Sequence, residues 1–95
     1  MKSVDIHFIK NNSNNINIID IRNREKYNDN HILNAINIPK NELLVKYSQV
    51  LKKDCSYFIY CQRGINSKKI CKFLSTLGYN VINIEGGYEA WIITE

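Results

Sequence analysis

The residues best suited to do chemistry stand together, in the run Tyr60-Cys61-Gln62-Arg63-Gly64-Ile65-Asn66-Ser67. A cysteine closes an uncharged aromatic segment, a short loop with one glycine follows, and a helical pattern begins at Asn66 or Ser67. Where a loop leaves the carboxyl end of a parallel strand, its amides and the free N–H groups of the next helix start form an anion cradle. A thiol placed there has its thiolate favoured by the helix dipole and by Arg63, and the thiolate is the nucleophilic form. Gly64 lets the backbone curl round the sulfur where a side chain would clash. The bland alternative is a buried and inert cysteine, the common state of free cysteines. The tight strand–loop–helix setting favours the nucleophile.

Other residues invite a chemical reading and are weighed against a structural one. Arg22 is placed to reach the rim of such a site, but pairing with Glu25 or another acid to hold the fold is the stronger expectation. His31 is of the residue type suited to shuttle protons; a hydrogen bond that fixes a loop is the simpler role. Lys68, Lys69 and Lys72 form a charge run on a helix, which is usually a solvated face. Cys71 falls on the apolar stripe of that helix and reads as core, as does Trp91. Cys55, ahead of a strand, is the one candidate for a resolving partner of Cys61.

The elements that must position Cys61 are legible as an alternation. Ile16–Ile21 is a β-branched run ending in Asp20-Ile21, Ala35–Ile38 is a shorter one stopped by Pro39, and Val81–Ile84 is another. Ser56–Tyr60, apolar and aromatic, reads as a central strand. Val4, Ile6 and Phe8 alternate like a strand, while Asp5 is also fit to cap a short helix. Asn41 is suited to cap a helix carrying Leu43, Leu44, Tyr47 and Leu51. A second helix runs from Asn66 or Ser67 through Ile70, Cys71, Leu74 and Leu77 to a stop at Gly78. Gly86-Gly87 breaks the chain before a last segment, Tyr88–Ile93. Strands alternating with helices predict an α/β fold with a parallel sheet covered on both faces.

Length and composition narrow the function classes. The 95 residues are expected to form one domain, 1–95, with no linker or repeat, and a 44% hydrophobic content supplies a core. A net charge of +4 suits anionic partners. Nucleic acid is disfavoured, because the basic residues are scattered and no aromatic residues interleave with the Arg63–Lys72 group. No signal peptide and no span of about 18 apolar residues is visible. The expectation is a cytoplasmic protein with no membrane partner, its cysteines held as thiols. The cysteine spacing matches no zinc pattern, and neither a metal nor another cofactor is expected. The Asn-rich first half, notably Asn11-Asn12 and Asn14-Asn15, reads as tolerant loop filling.

Four motifs in order make the chain resemble a single-domain rhodanese over nearly its whole length. Asp20-Ile21-Arg22 with Glu25, Tyr27 and His31-Ile32 resembles the family's first signature, and Ala35–Pro39 the segment after it. Cys61–Ser67 resembles the active-site loop, and Gly78-Tyr79 followed by Glu85–Trp91 resembles the closing signature. The resemblance implies a five-stranded parallel sheet with helices on both faces. It implies that Cys61 takes a sulfane sulfur from thiosulfate or a similar small anionic donor, becomes a persulfide, and passes the sulfur to a thiol, cyanide or a sulfur-carrier protein. It implies a substrate cradle of Gln62, Arg63, Gly64, Ile65 and Asn66, built mostly from backbone donors, with Ser67 closing it. The chain departs from the family pattern at Asn30, at Leu33-Asn34, and at Asn66, where a loop arginine is common. A rhodanese-like module that binds without turnover is the alternative that this last departure raises. Related cysteine phosphatases carry a loop one residue longer, ending in arginine.

Overall fold

The computed structural model describes residues 1–94. Five strands, β1 (Lys2–Val4), β2 (Asn17–Asp20), β3 (Ile36–Asn37), β4 (Ser56–Tyr60) and β5 (Asn80–Ile84), form one sheet in the order β1-β5-β4-β2-β3. Every pairing is parallel. Five helices connect or follow them: α1 (Ile6–Asn12), α2 (Arg24–Asp29), α3 (Lys40–Val50), α4 (Ile65–Thr76) and α5 (Gly87–Ile93). The fold is α/β, as the alternation of patterns predicts.

The sheet is covered on both faces, and β4 lies at its centre. Strand residues point alternately to either side, so β4 sends Phe58 and Tyr60 one way and Ile59 and Cys61 the other. Phe58 and Tyr60 join Ile6 and Ile9 of α1 and Tyr88 of α5 in one core. Ile59 and Cys61 join Leu43 of α3 and Ile70, Cys71 and Leu74 of α4 in the second. Cys61 is therefore delivered to the α3/α4 side at the carboxyl end of the central strand. No helix among the described residues is long and apolar enough to cross a membrane.

Several boundaries differ from expectation for identifiable reasons. The N-terminal segment is both things: β1 ends at Val4, and Asp5 then caps α1 by accepting from the Phe8 amide at 3.1 Å. Helix α3 begins at Lys40 and is not capped by Asn41. The Lys40 amide donates to Ile21 O at 3.0 Å, and Leu43 N already bonds Pro39 O at 2.9 Å, so the turn closes before Asn41 is reached. Helix α4 starts at Ile65, because Gly64 at φ 87 turns the chain into it at once. Strand β3 shrinks to two residues at the sheet edge, although Ile38 N still reaches Asp20 O at 3.0 Å. Helix α2 has no counterpart among the elements that the sequence pattern predicts. It buries no residue and so leaves no apolar period, although Asn23 caps it by accepting from Lys26 N at 2.9 Å.

Candidate active site

The loop after β4 wraps the sulfur of Cys61 with donors. The amides of Gly64 and Ser67 donate to Cys61 Sγ at 3.2 and 3.3 Å, and Cys61 Sγ donates to Ser67 Oγ at 3.4 Å. Cys61 is only 6% exposed. Burial by itself pushes its thiol up. The Ser67 hydroxyl and amide, then the amides of Gly64 and Arg63, outweigh that and hold it below the usual cysteine value. Arg63 thus acts through its backbone, and its exposed guanidinium is not among the causes, contrary to the expectation of a charge effect.

The cradle is held from behind by the Gly-Gly turn that opens α5. Tyr88 N donates to Cys61 O at 2.9 Å and Glu89 N to Gln62 O at 3.0 Å. The loop carbonyls are drawn backward by these bonds, which leaves its amides facing the sulfur. This close approach explains Gly87: a Cβ there would stand 2.2 Å from Cys61 O and 2.9 Å from Gly64 N. Gly64 is constrained in turn, since its φ is left-handed and its Cβ would lie 3.0 Å from Gly86 N.

A second network ties the loop to the end of β2. Asp20 and Arg22 are buried, and the guanidinium grips the carboxylate through Nε at 3.1 Å to both oxygens and Nη2 at 2.8 Å. Tyr60 donates its hydroxyl to Asp20 Oδ2 at 2.5 Å and accepts from the Ile32 amide at 3.1 Å. Burial, then the hydrogen bond and charge of Asp20, push the Tyr60 phenol far above its usual value. Burial works against the Arg22 charge, but Asp20 more than offsets it. Arg22 also reaches Asn30 O at 2.6 Å and Gln62 Oε1 at 3.2 Å, and lies 4.1 Å from the centre of the Tyr88 ring. Its acid is Asp20, not Glu25, and its contact with Gln62 puts it at the rim as well.

An open cleft of about 310 Å³ fronts the sulfur, lined by Cys61, Gln62 and Asn66 of the loop and by Arg22, Lys26 and Lys40 opposite. An adjoining cleft of about 300 Å³ is lined by Cys61, Arg63, Ile65, Asn66 and again Lys26. Gln62 through Ser67 are thus all brought together around Cys61. Gly64 and Ser67 bond its sulfur, Gln62 bonds Arg22, and Ile65 and Asn66 are exposed at the mouth. Lys26 and Lys40 escaped sequence reading, since nothing in their spacing ties them to Cys61. Asn23, which caps α2 and so sets Lys26 in place, was the only signal.

The remaining candidates fall away from the chemistry. His31 Nδ1 shares a hydrogen bond with Tyr27 O at 2.8 Å and its ring stacks on Tyr27, which fixes the loop after α2. Cys71 is fully buried, and burial followed by the neighbouring Cys61 charge pushes its thiol up to about 12. Cys55 precedes β4 while Cys61 follows it, so about six extended residues, on the order of 20 Å, separate them. It is no resolving partner. Trp91 is half-buried, with Lys10 Nζ 4.2 Å from its ring centre. Among the described residues, no group of three or more His, Cys, Asp or Glu side chains is placed to hold a metal ion.

Known proteins resemble this chain in sequence and in fold. The family model described as Rhodanese-like domain matches residues 7–94. Thiosulfate sulfurtransferase GlpE of Coxiella burnetii is 32% identical over 75 residues, covering 78% of this chain and 69% of that protein. A probable molybdopterin-synthase adenylyltransferase of Pyropia yezoensis is also 32% identical over 75 residues, but there this chain spans only 20% of the relative's length. The crystal structure of a rhodanese-related protein from Thermoplasma volcanium superposes with a TM-score of 0.91 at 32% identity, covering 99% of this chain and 93% of the other.

Proposed function

Because this chain belongs to the rhodanese-like domain family, we propose that it is a sulfurtransferase whose residues 1–95 act as one domain and carry sulfur as a persulfide on Cys61. The observation that carries this reading is the convergence of the Gly64 and Ser67 amides on a buried Cys61 sulfur held below the usual thiol value. The Cys61 thiolate attacks the outer sulfur of a donor such as thiosulfate. A sulfur–sulfur bond forms to Cys61 while the donor's own sulfur–sulfur bond breaks, and sulfite leaves with that electron pair. An acceptor thiol, cyanide or sulfur-carrier protein then attacks the outer sulfur, and Cys61 departs as thiolate.

The same donors serve both halves of the cycle. They stabilise negative charge on Sγ before attack and again as it leaves, while the outer sulfur faces the open cleft. The cations Lys26 and Lys40 line that cleft and suit the oxygens of an anionic donor. The protein is proposed to work in the cytoplasm, with no cofactor.

Phosphoryl transfer is the reading that this loop disfavours. A phosphoryl group in flight needs an arginine holding its equatorial oxygens, and Asn66 occupies the loop's end while Arg63 points out to solvent. The comparison is direct: the protein is assayed for sulfur transfer from thiosulfate to cyanide and for hydrolysis of a small aryl phosphate. Sulfur transfer with negligible phosphate release is expected. Cys61-dependent phosphate hydrolysis exceeding sulfur transfer would reverse the assignment.

A further inference from the structure

Ser67 stands between Cys61 and Asn83 with one proton to give. Its hydroxyl donates to Asn83 Oδ1 of β5 at 2.6 Å, and its oxygen lies 3.4 Å from Cys61 Sγ. Ser67 is completely buried and Asn83 is 3% exposed, so water does not substitute for either partner. Asn83 sits opposite Ile59 in the parallel register, so the two side chains share the sheet face toward α4, where Cys61 also points. A polar side chain within the buried run Val81–Ile84 calls for such a partner, because an unpaired buried amide is costly.

We propose that Asn83 is a positioning residue for Cys61, competing with its thiolate for the proton of the Ser67 hydroxyl. In the thiol state the chain of donors is complete: Cys61 S–H donates to Ser67 Oγ, and Ser67 O–H donates to Asn83 Oδ1. Ionisation removes the S–H and makes Sγ an acceptor. The two amides serve it without moving. The Ser67 hydroxyl can serve it only by turning away from Asn83, which leaves a buried carbonyl oxygen without that donor. Asn83 therefore opposes ionisation, while Ser67 favours it.

The consequence is a thiolate that forms readily but is not over-stabilised. Intrinsic nucleophilicity falls as the thiol becomes more acidic, and an attacking thiol works best with its pKa near ambient pH. Other groups facing Cys61 set the baseline against which this pair acts. They are Arg22 after β2, Lys26 of α2 and Lys40 at the start of α3, which line the cleft, and Cys71 of α4, while Arg63 offers its amide and turns its guanidinium to solvent. From α5, Tyr88 and Glu89 dock on the loop through their amides. None of these is altered by substitutions at Ser67 or Asn83, so a change in titration reports the pair.

The inference deepens the proposed role of Cys61, but its test needs no sulfur donor. The rate of Cys61 carboxamidomethylation by iodoacetamide, followed by peptide mass against pH, gives the apparent pKa in each variant. The unaltered protein should titrate below about 8.5. Asn83→Leu should lower that value further, by about half a unit, equivalent to about threefold more thiolate below the midpoint. Ser67→Ala should raise it, and the double variant should match Ser67→Ala, because Asn83 acts only through that hydroxyl. Asn83→Ala makes the same prediction without adding a branched side chain, if the leucine variant fails to fold. An unchanged or raised value on replacing Asn83, or a fall that persists in the Ser67→Ala background, would overturn the assignment. Either result stands whatever sulfur-transfer assays show.

Discussion

Cys61→Ser should abolish sulfur transfer from thiosulfate to cyanide, a loss on the order of a thousandfold or more, as expected when a covalent nucleophile is removed. Cys61 alone among the three cysteines lies in the cradle of loop amides, with Gly64 N and Ser67 N at 3.2 and 3.3 Å from its sulfur. A serine hydroxyl in the same place would remain protonated near neutral pH, since among the described residues the partners at that position are two amides and the Ser67 hydroxyl, none of them a general base. The other two cysteines supply the control. Cys55→Ser alters a half-buried side chain at the far end of β4, and Cys71→Ala trims a core side chain of α4. Both should retain most of the activity per folded molecule. The Cys71 change should cost some stability, about 1 kcal/mol for the volume lost. A large, selective activity loss in either control would mean that sulfur passes through a second thiol.

Asp20→Ala should bring the largest loss of stability, about 3–5 kcal/mol, because it strands a buried guanidinium without its carboxylate. Asp20 is completely buried, Arg22 is 7% exposed, and Tyr60 would lose the acceptor for its hydroxyl at the same time. For a domain of this size that corresponds to a fall in Tm of roughly 12 °C or more. Asp20→Asn, which keeps the shape and one acceptor oxygen, should lose less. Urea unfolding of the three proteins decides it. A midpoint for Asp20→Ala within about 1 kcal/mol of the parent would show that the network holds the loop in register without holding the fold. The alanine variant should also weaken activity in whatever fraction remains folded, since Arg22 carries Gln62 on its free nitrogen at 3.2 Å.

The strands and helices that bury a full face were legible in the sequence, and those that do not were obscure. Ser56–Tyr60 matches β4 residue for residue because a central strand is apolar on both sides. Helix α4 announces itself by Ile70, Cys71 and Leu74 on one face and lysines on the other. Helix α2 has no such stripe and survives on its Asn23 cap and its neighbours, so periodicity passes over it. The site divides along similar lines. Cys61, Gly64 and Ser67 were legible because strand, loop and helix start are contiguous. Lys26, Lys40 and Asn83 were not, because they reach the sulfur's surroundings from three separate elements, at separations only the sheet order creates. Arg63 acts by a different means from the one its adjacency in sequence suggests: a loop curling round the sulfur offers the amide and turns the charged side chain out. Arg22 found Asp20 because a two-residue step at a strand end folds the guanidinium back on its own strand.

The most direct test of the central claim is the intact mass of the reduced protein after incubation with thiosulfate and removal of excess reagent. A gain of one sulfur atom per chain is expected, located to Cys61 by peptide mapping, reversed by cyanide and absent from Cys61→Ser. An unchanged mass under conditions where iodoacetamide labels Cys61 would contradict it, and would leave a reactive thiol in a binding module that does not carry sulfur.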